Sequence, residues 1–135
     1  MEKTESGKHY KILIVEDDKF LMDMYAVKFG EYNFEIASSF GAPDALSKLE
    51  EGLEPDIILT DIVMPVMDGF EFLAEVKEKK LAGDAVIIIL SNLGQKDDIA
   101  KGISLGASGY IVKATSTPTE VVKKVIEIAE GKKDL

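Results

Sequence analysis

Cysteine and arginine are both absent from this chain, and histidine occurs once, as His9. Without cysteine there are no disulfides, no thiolate metal sites and no cysteine nucleophile. Without arginine there is no planar guanidinium fork for paired contacts to phosphates or base edges; all 16 basic residues are lysines. The net charge of −9 also removes the basic footprint that sequence-independent nucleic-acid binding needs, so no direct nucleic-acid partner is expected. Long apolar runs are missing too. The longest, Ala85 to Leu90, is far too short to cross a bilayer, and no apolar segment of signal-peptide type follows the polar stretch Met1 to Lys8. The expectation is a cytoplasmic protein with no membrane partner.

What is present suits one globular domain. The chain has 135 residues, 46% hydrophobic and 30% charged, enough to bury a single core. Four compact apolar runs stand out: Ile12-Leu13-Ile14-Val15, Ile57-Ile58-Leu59, Val86 to Leu90 and Tyr110-Ile111-Val112. They are rich in β-branched residues and do not alternate with polar ones, the pattern of strands covered on both faces. A weaker strand, Phe34 to Ser38, alternates and suits an edge. Between them lie helical spacings: about Lys19 to Gly30, with Phe20, Leu21, Met24 and Val27 on one face; Pro43 to Glu51, with Ala45, Leu46 and Leu49; a stretch opened by Asp68-Gly69-Phe70-Glu71; about Lys96 to Leu105; and a last one opened by Thr117-Pro118-Thr119-Glu120. The two named openings have capping-box spacing, and Pro118 suits a first helical position. Five β-α alternations with right-handed crossovers predict an α/β fold: an open, doubly wound parallel sheet with helices on both faces.

The polar residues that interrupt this pattern sit at strand ends. Glu16, Asp17 and Asp18 follow the first strand, Asp61 ends the third, Ser91 ends the fourth, and Lys113 ends the fifth. In doubly wound folds the carboxyl ends of the strands form the ligand crevice, so these residues should meet at one edge. Several carboxylates in one crevice need protons or a cation. Oxygen-only ligands in an open site suit Mg²⁺. Asp61 could then act as a carboxylate nucleophile toward phosphorus, with Lys113 and the Ser91 hydroxyl holding phosphoryl oxygens.

The segments Ile12-Leu13-Ile14-Val15-Glu16-Asp17-Asp18, Asp61-Ile62-Val63-Met64-Pro65-Val66-Met67-Asp68-Gly69, Leu90-Ser91 and Tyr110-Ile111-Val112-Lys113 together resemble the receiver domains of two-component response regulators, single-domain ones in particular. The resemblance runs from about Tyr10 to Gly131. It implies a five-stranded flavodoxin-like (βα)5 fold of strand order 2-1-3-4-5, with residues 1–9 as a polar leader, 10–131 as the receiver domain and 132–135 as a tail. It implies that Asp61 is the phosphoacceptor, that Asp17 binds Mg²⁺ directly, that Glu16 does so mostly through water, and that Asp61 and the Val63 backbone carbonyl complete the protein ligands. Ser91 and Lys113 would contact the phosphoryl group, and Tyr110 would change rotamer with Lys113. The implied partners are a sensor histidine kinase or phosphotransfer protein, because the lone His9 reads as a surface residue, and a downstream protein target. The chain would be no enzyme beyond its own aspartyl phosphorylation and dephosphorylation.

Two positions depart from that family's habits. Asn92 stands after the hydroxyl where a smaller residue is common, and Ala114 follows the lysine in place of proline. The positions best placed to meet a hydrolytic water, Val63 and Leu93, are both apolar, so slow loss of the phosphoryl group is expected. No output domain is expected after the fifth helix, so the signal would leave through the fourth helix, fifth strand and fifth helix of a monomer or weak dimer. Other residues read more plainly: Asp18 as a helix cap, Asp97 and Asp98 as dipole partners, and Met22, Met24, Met64 and Met67 as packing. A flavodoxin-type electron carrier is disfavoured by the acidic Glu16-Asp17-Asp18 loop, which would repel a phosphate. A haloacid-dehalogenase-type phosphatase needs an aspartate where Val63 stands. The remaining rival is a pseudo-receiver, a protein-binding module of the same fold that does not switch by phosphorylation.

Overall fold

The computed structural model describes residues 9–131, so nearly all of the expected leader, and the tail at 132–135, lie outside the described residues. The elements alternate as expected: β1 (Lys11–Val15), α1 (Lys19–Glu31), β2 (Glu35–Ser39), α2 (Ala42–Glu50), β3 (Ile57–Thr60), α3 (Gly69–Glu78), β4 (Val86–Ser91), α4 (Lys96–Ser104), β5 (Gly109–Val112) and α5 (Pro118–Ala129), with one 3₁₀ turn at Lys113–Thr115. All strands pair in parallel, in the order β2-β1-β3-β4-β5. The weak strand, β2, is at an edge. After β2 the chain returns to the other side of β1, and that reversal opens a crevice between the carboxyl ends of β1 and β3.

The lack of alternation in the strong strands has a direct cause: each face of the sheet carries its own core. Ile12, Ile14, Ile57, Leu59, Ile88 and Leu90 pack on one side, beneath α1 and α5. Their neighbours Leu13, Val15, Ile58, Ile87 and Ile89 pack on the other, beneath α2 and α3. Successive strand residues point to opposite faces, so both sets must be apolar. The helix starts follow the sequence signals. Asp68 accepts from the Glu71 N–H at 2.8 Å and Thr117 from the Glu120 N–H at 3.1 Å, each closing a capping box. Asp18 caps α1 by accepting from the Leu21 N–H.

Helix α1 corrects the sequence reading. Its buried residues are Met22, Tyr25 and Phe29, whereas Phe20 is 75% exposed and Val27 is exposed as well. Apolar residues surround this helix, so spacing alone supports more than one face. Volume decides between them: the Met22-Tyr25-Phe29 stripe places two aromatic rings in the core, and Phe29 meets Phe34 edge-on at 4.9 Å between ring centres.

The β3–α3 connection carries local strain. Val66 has φ +75° and is 93% exposed, a left-handed backbone that a β-branched residue adopts at a cost of about 1–2 kcal/mol. Val66→Asn keeps the loop and removes most of that cost. Urea denaturation should show a gain of about 1 kcal/mol; an unchanged midpoint would place the loop in a different conformation.

Candidate functional site

The crevice gathers residues far apart in sequence. The Lys113 ammonium donates to Glu16 Oε1 and to Asp61 Oδ2, both at 2.7 Å, across separations of 97 and 52 residues. Each partner is positioned by the strand before it. Glu16 continues β1, its N–H donating to the Ser39 carbonyl at 3.0 Å, and its Oε2 accepts from the Asp18 N–H at 3.0 Å. Asp61 continues β3, its N–H donating to the Val15 carbonyl, and its Oδ1 accepts from the Ile62 N–H at 2.6 Å. Lys113 leaves β5 at the 3₁₀ turn, and its bond to Ala114 is trans.

Glu16 and Asp61 are buried, at 3% and 7% exposure. Burial raises the Glu16 pKa above the usual carboxylate range, although the Lys113 and Asp18 hydrogen bonds pull the other way. For Lys113, burial acts to lower the pKa, but the hydrogen bonds to Asp61 and Glu16 outweigh it, so the ammonium is held charged. Asp17 completes an acidic group: one oxygen from each of Glu16, Asp17 and Asp61 lies within 4.8 Å of the others. One cation therefore faces three carboxylates, which leaves the centre electrically unbalanced and suited to a hard divalent cation.

Ser91 and Tyr110 lie beside this centre. The β3–β4 register pairs Thr60 with Ile89, and β4–β5 pairs Ser91 with Val112, so Ser91 ends its strand at the same edge as Asp61 and Lys113. Its buried hydroxyl accepts from the Leu93 N–H at 3.3 Å. The Tyr110 hydroxyl donates to the Leu93 carbonyl and so ties β5 to the β4–α4 loop. Burial raises its pKa, and Asp98 and Asp61 add to the effect. Val63 is exposed in the β3–α3 loop, and Leu93 is half-buried against the α2–α3 side core.

Two neighbours, Tyr25 and Gly69, were not singled out from sequence. Tyr25 is buried in α1, where it feels Lys113, Glu16 and Asp61; its pKa is raised by burial, against the effect of the ammonium. Gly69 lies against the Asp61 backbone. Lys101 of α4 places its ammonium 4.7 Å from the Phe70 ring centre. The Asp-Gly pair before α3 was the available signal for Gly69, since a glycine where a cap alone would suffice suggests close backbone approach. For Tyr25 the signal was hidden by the apolar residues around α1.

Comparison with known proteins agrees with this geometry. The sequence pattern of the response regulator receiver domain matches residues 12–126. The chemotaxis protein CheY of Halobacterium salinarum is 32% identical over 109 residues, covering 81% of this chain and 88% of that protein. The phosphate regulon transcriptional regulatory protein PhoB of Escherichia coli is 29% identical over 115 residues, but the chain spans only 49% of its length. Among solved structures, the phosphorylated cyanobacterial phytochrome response regulator RcpA superimposes with a TM-score of 0.81 at 26% identity, covering 95% of this chain and 99% of that one.

Proposed function

Because the chain belongs to the response regulator receiver domain family, we propose that it takes a phosphoryl group onto Asp61 from a phosphohistidine donor, with Mg²⁺ bound at Glu16, Asp17 and Asp61. The observation that carries this reading is the Asp61 carboxylate held between the Ile62 N–H and the Lys113 ammonium, at the edge of the acidic group. The Val63 carbonyl is the fourth protein ligand in this reading. Bound Mg²⁺ supplies neutralising charge for the phosphoryl oxygens.

An Asp61 carboxylate oxygen forms the bond to phosphorus. The phosphorus–nitrogen bond of the donor breaks, and its electron pair returns to the imidazole, which takes up a proton. With acetyl phosphate the phosphorus–oxygen bond breaks and acetate leaves. Lys113 then follows the new phosphoryl oxygens, and Ser91 donates its hydroxyl to one of them, releasing its present contact with the Leu93 N–H. Since Tyr110 is tied to the Leu93 carbonyl, that movement loads the β4–α4 loop and the α4-β5-α5 face. A downstream protein reads this face, and the chain acts as a monomer or weak dimer. It turns over no substrate beyond its own aspartyl phosphate.

The chain incubated with acetyl phosphate and Mg²⁺ should gain one phosphoryl group by intact-mass spectrometry, and EDTA should suppress the gain. Fragmentation should place the group on the peptide containing Asp61. No gain with any small phosphodonor, in the presence of Mg²⁺, would favour the pseudo-receiver reading.

Persistence of the group follows from the loop side chains. Val63 and Leu93 offer no hydrogen bond to an attacking water, so nothing at those positions orients it. Release of phosphate should accelerate on the order of tenfold in Val63→Asn or Leu93→Glu. Unaltered decay in both variants would show that these side chains do not control access.

A further inference from the structure

The carboxyl end of β2 is held by a lysine whose donors are all in use. The Lys48 ammonium, on α2, donates to the Ser38 carbonyl at 2.8 Å, to Ser39 Oγ at 3.2 Å and to Asp44 Oδ2. An ammonium has three N–H donors, so none is left over. Ser39 Oγ in turn donates to Asp44 Oδ2 at 2.8 Å. The Lys48 and Ser39 hydrogen bonds hold the Asp44 carboxyl below the usual carboxylate range. Ser39 is fully buried, and its carbonyl accepts from the Glu16 N–H at 3.0 Å. We propose that Lys48 is a positioning residue for the cation site, clamping the end of β2 so that Glu16 is fixed in the acidic group before Mg²⁺ arrives. The role presupposes Mg²⁺ binding at Glu16, Asp17 and Asp61 as proposed above.

An Asp44–Lys48 pair four residues apart would by itself support only α2. The other two donors leave the helix, and the sheet topology gives them a purpose. β2 is an edge strand, and adjacent carbonyls of a strand point to opposite sides. Ser39 turns its carbonyl toward β1, so Ser38 turns its own to the open edge, where Lys48 takes the place of a missing neighbour. The pairing of β1 with β2 ends at Val15 and Ser39, so Glu16 is the first residue past it. Its main-chain anchor on this side is the Ser39 carbonyl. Fixing that anchor matters because Glu16, Asp17 and Asp61 repel one another and face one ammonium. A carboxylate free to swing away would have to be gathered again when the cation binds, at a cost in affinity.

The test uses the full chain with Lys48→Met, which keeps the apolar stem and removes the ammonium. Without Mg²⁺, amide hydrogen exchange at Glu16 should be roughly fivefold faster than in the wild type. In a Mg²⁺ titration followed by ¹H–¹⁵N NMR, the dissociation constant should rise about 3- to 10-fold, less than for loss of a side chain bonded directly to a ligand. Lys79→Met is the control: it breaks the ion pairs to Glu50, at the far end of α2, and to Glu75, and should move neither quantity. Unchanged Mg²⁺ affinity in Lys48→Met would overturn the proposal whatever the exchange rate. Equal losses in Lys79→Met would overturn it too, by reducing Lys48 to general support of α2. A wild-type chain that binds no Mg²⁺ would sink the cation reading itself, so the two failures are told apart.

Discussion

Asp61→Asn should reduce phosphoryl incorporation from acetyl phosphate to background while leaving the fold intact. The amide has no anionic oxygen to attack phosphorus, and no other carboxylate in the group is held the same way. Glu16 has one oxygen on Lys113 and the other on the Asp18 N–H, and Asp17 is more open to solvent. The amide oxygen can still accept from the Ile62 N–H, which fixes the side chain in place. Removing one partner of a buried ion pair commonly destabilises by about 3–5 kcal/mol, because the other charge is left unpaired. Here Lys113 keeps Glu16, and the crowd of three carboxylates loses one member. The two effects oppose each other, so urea denaturation should show a change within about 1–2 kcal/mol. Labelling that survives in Asp61→Asn would move the phosphoacceptor elsewhere. A loss of stability as large as that of an unpaired buried charge would instead mark Asp61 as mainly structural.

The parts of this centre differ in how far sequence could reach them. Glu16, Asp61, Ser91 and Lys113 were legible because each interrupts or ends an apolar run, and parallel topology brings all such ends to one edge. The register needed no guess, since strands apolar on both faces leave few alternatives for the polar residue that follows. The same double burial explains why the five β-α units were readable, down to the edge placement of β2. The core face of α1 was not, because Phe20, Leu21, Met22, Met24, Tyr25, Val27 and Phe29 encircle it and only packing against β2 and α5 selects among them. Missing that rotation also concealed Tyr25, which lies near enough to feel Lys113, Glu16 and Asp61. The Tyr110–Leu93 tie was equally out of reach: it depends on the path of the loop after Ser91, which no spacing encodes.

Gly69→Ala should be among the most damaging single changes available outside the acidic group. A Cβ built at Gly69 would lie 2.2 Å from the Asp61 carbonyl oxygen and 2.8 Å from the Ile62 Cα. Both are backbone atoms, so no rotamer change relieves the contact. The Gly69 N–H also donates to the Ile62 carbonyl at 2.7 Å, which holds the start of α3 against the segment that carries the phosphoacceptor. Relief therefore requires α3 to lift away or Asp61 to shift. Alanine's better helix propensity, worth at most about 1 kcal/mol over glycine, does not offset this. A net loss of about 3 kcal/mol in urea denaturation is expected, at the upper end for overpacking because backbone is involved. Displacement of Asp61 by about an ångström should also slow labelling by roughly 100-fold. Gly30→Ala serves as the control, since its Cβ would meet only the Ile36 Cδ1, at 3.9 Å, and neither stability nor labelling should fall. If Gly69→Ala matched Gly30→Ala in both measurements, α3 would not be packed against Asp61 as described, and the glycine would be serving the turn alone.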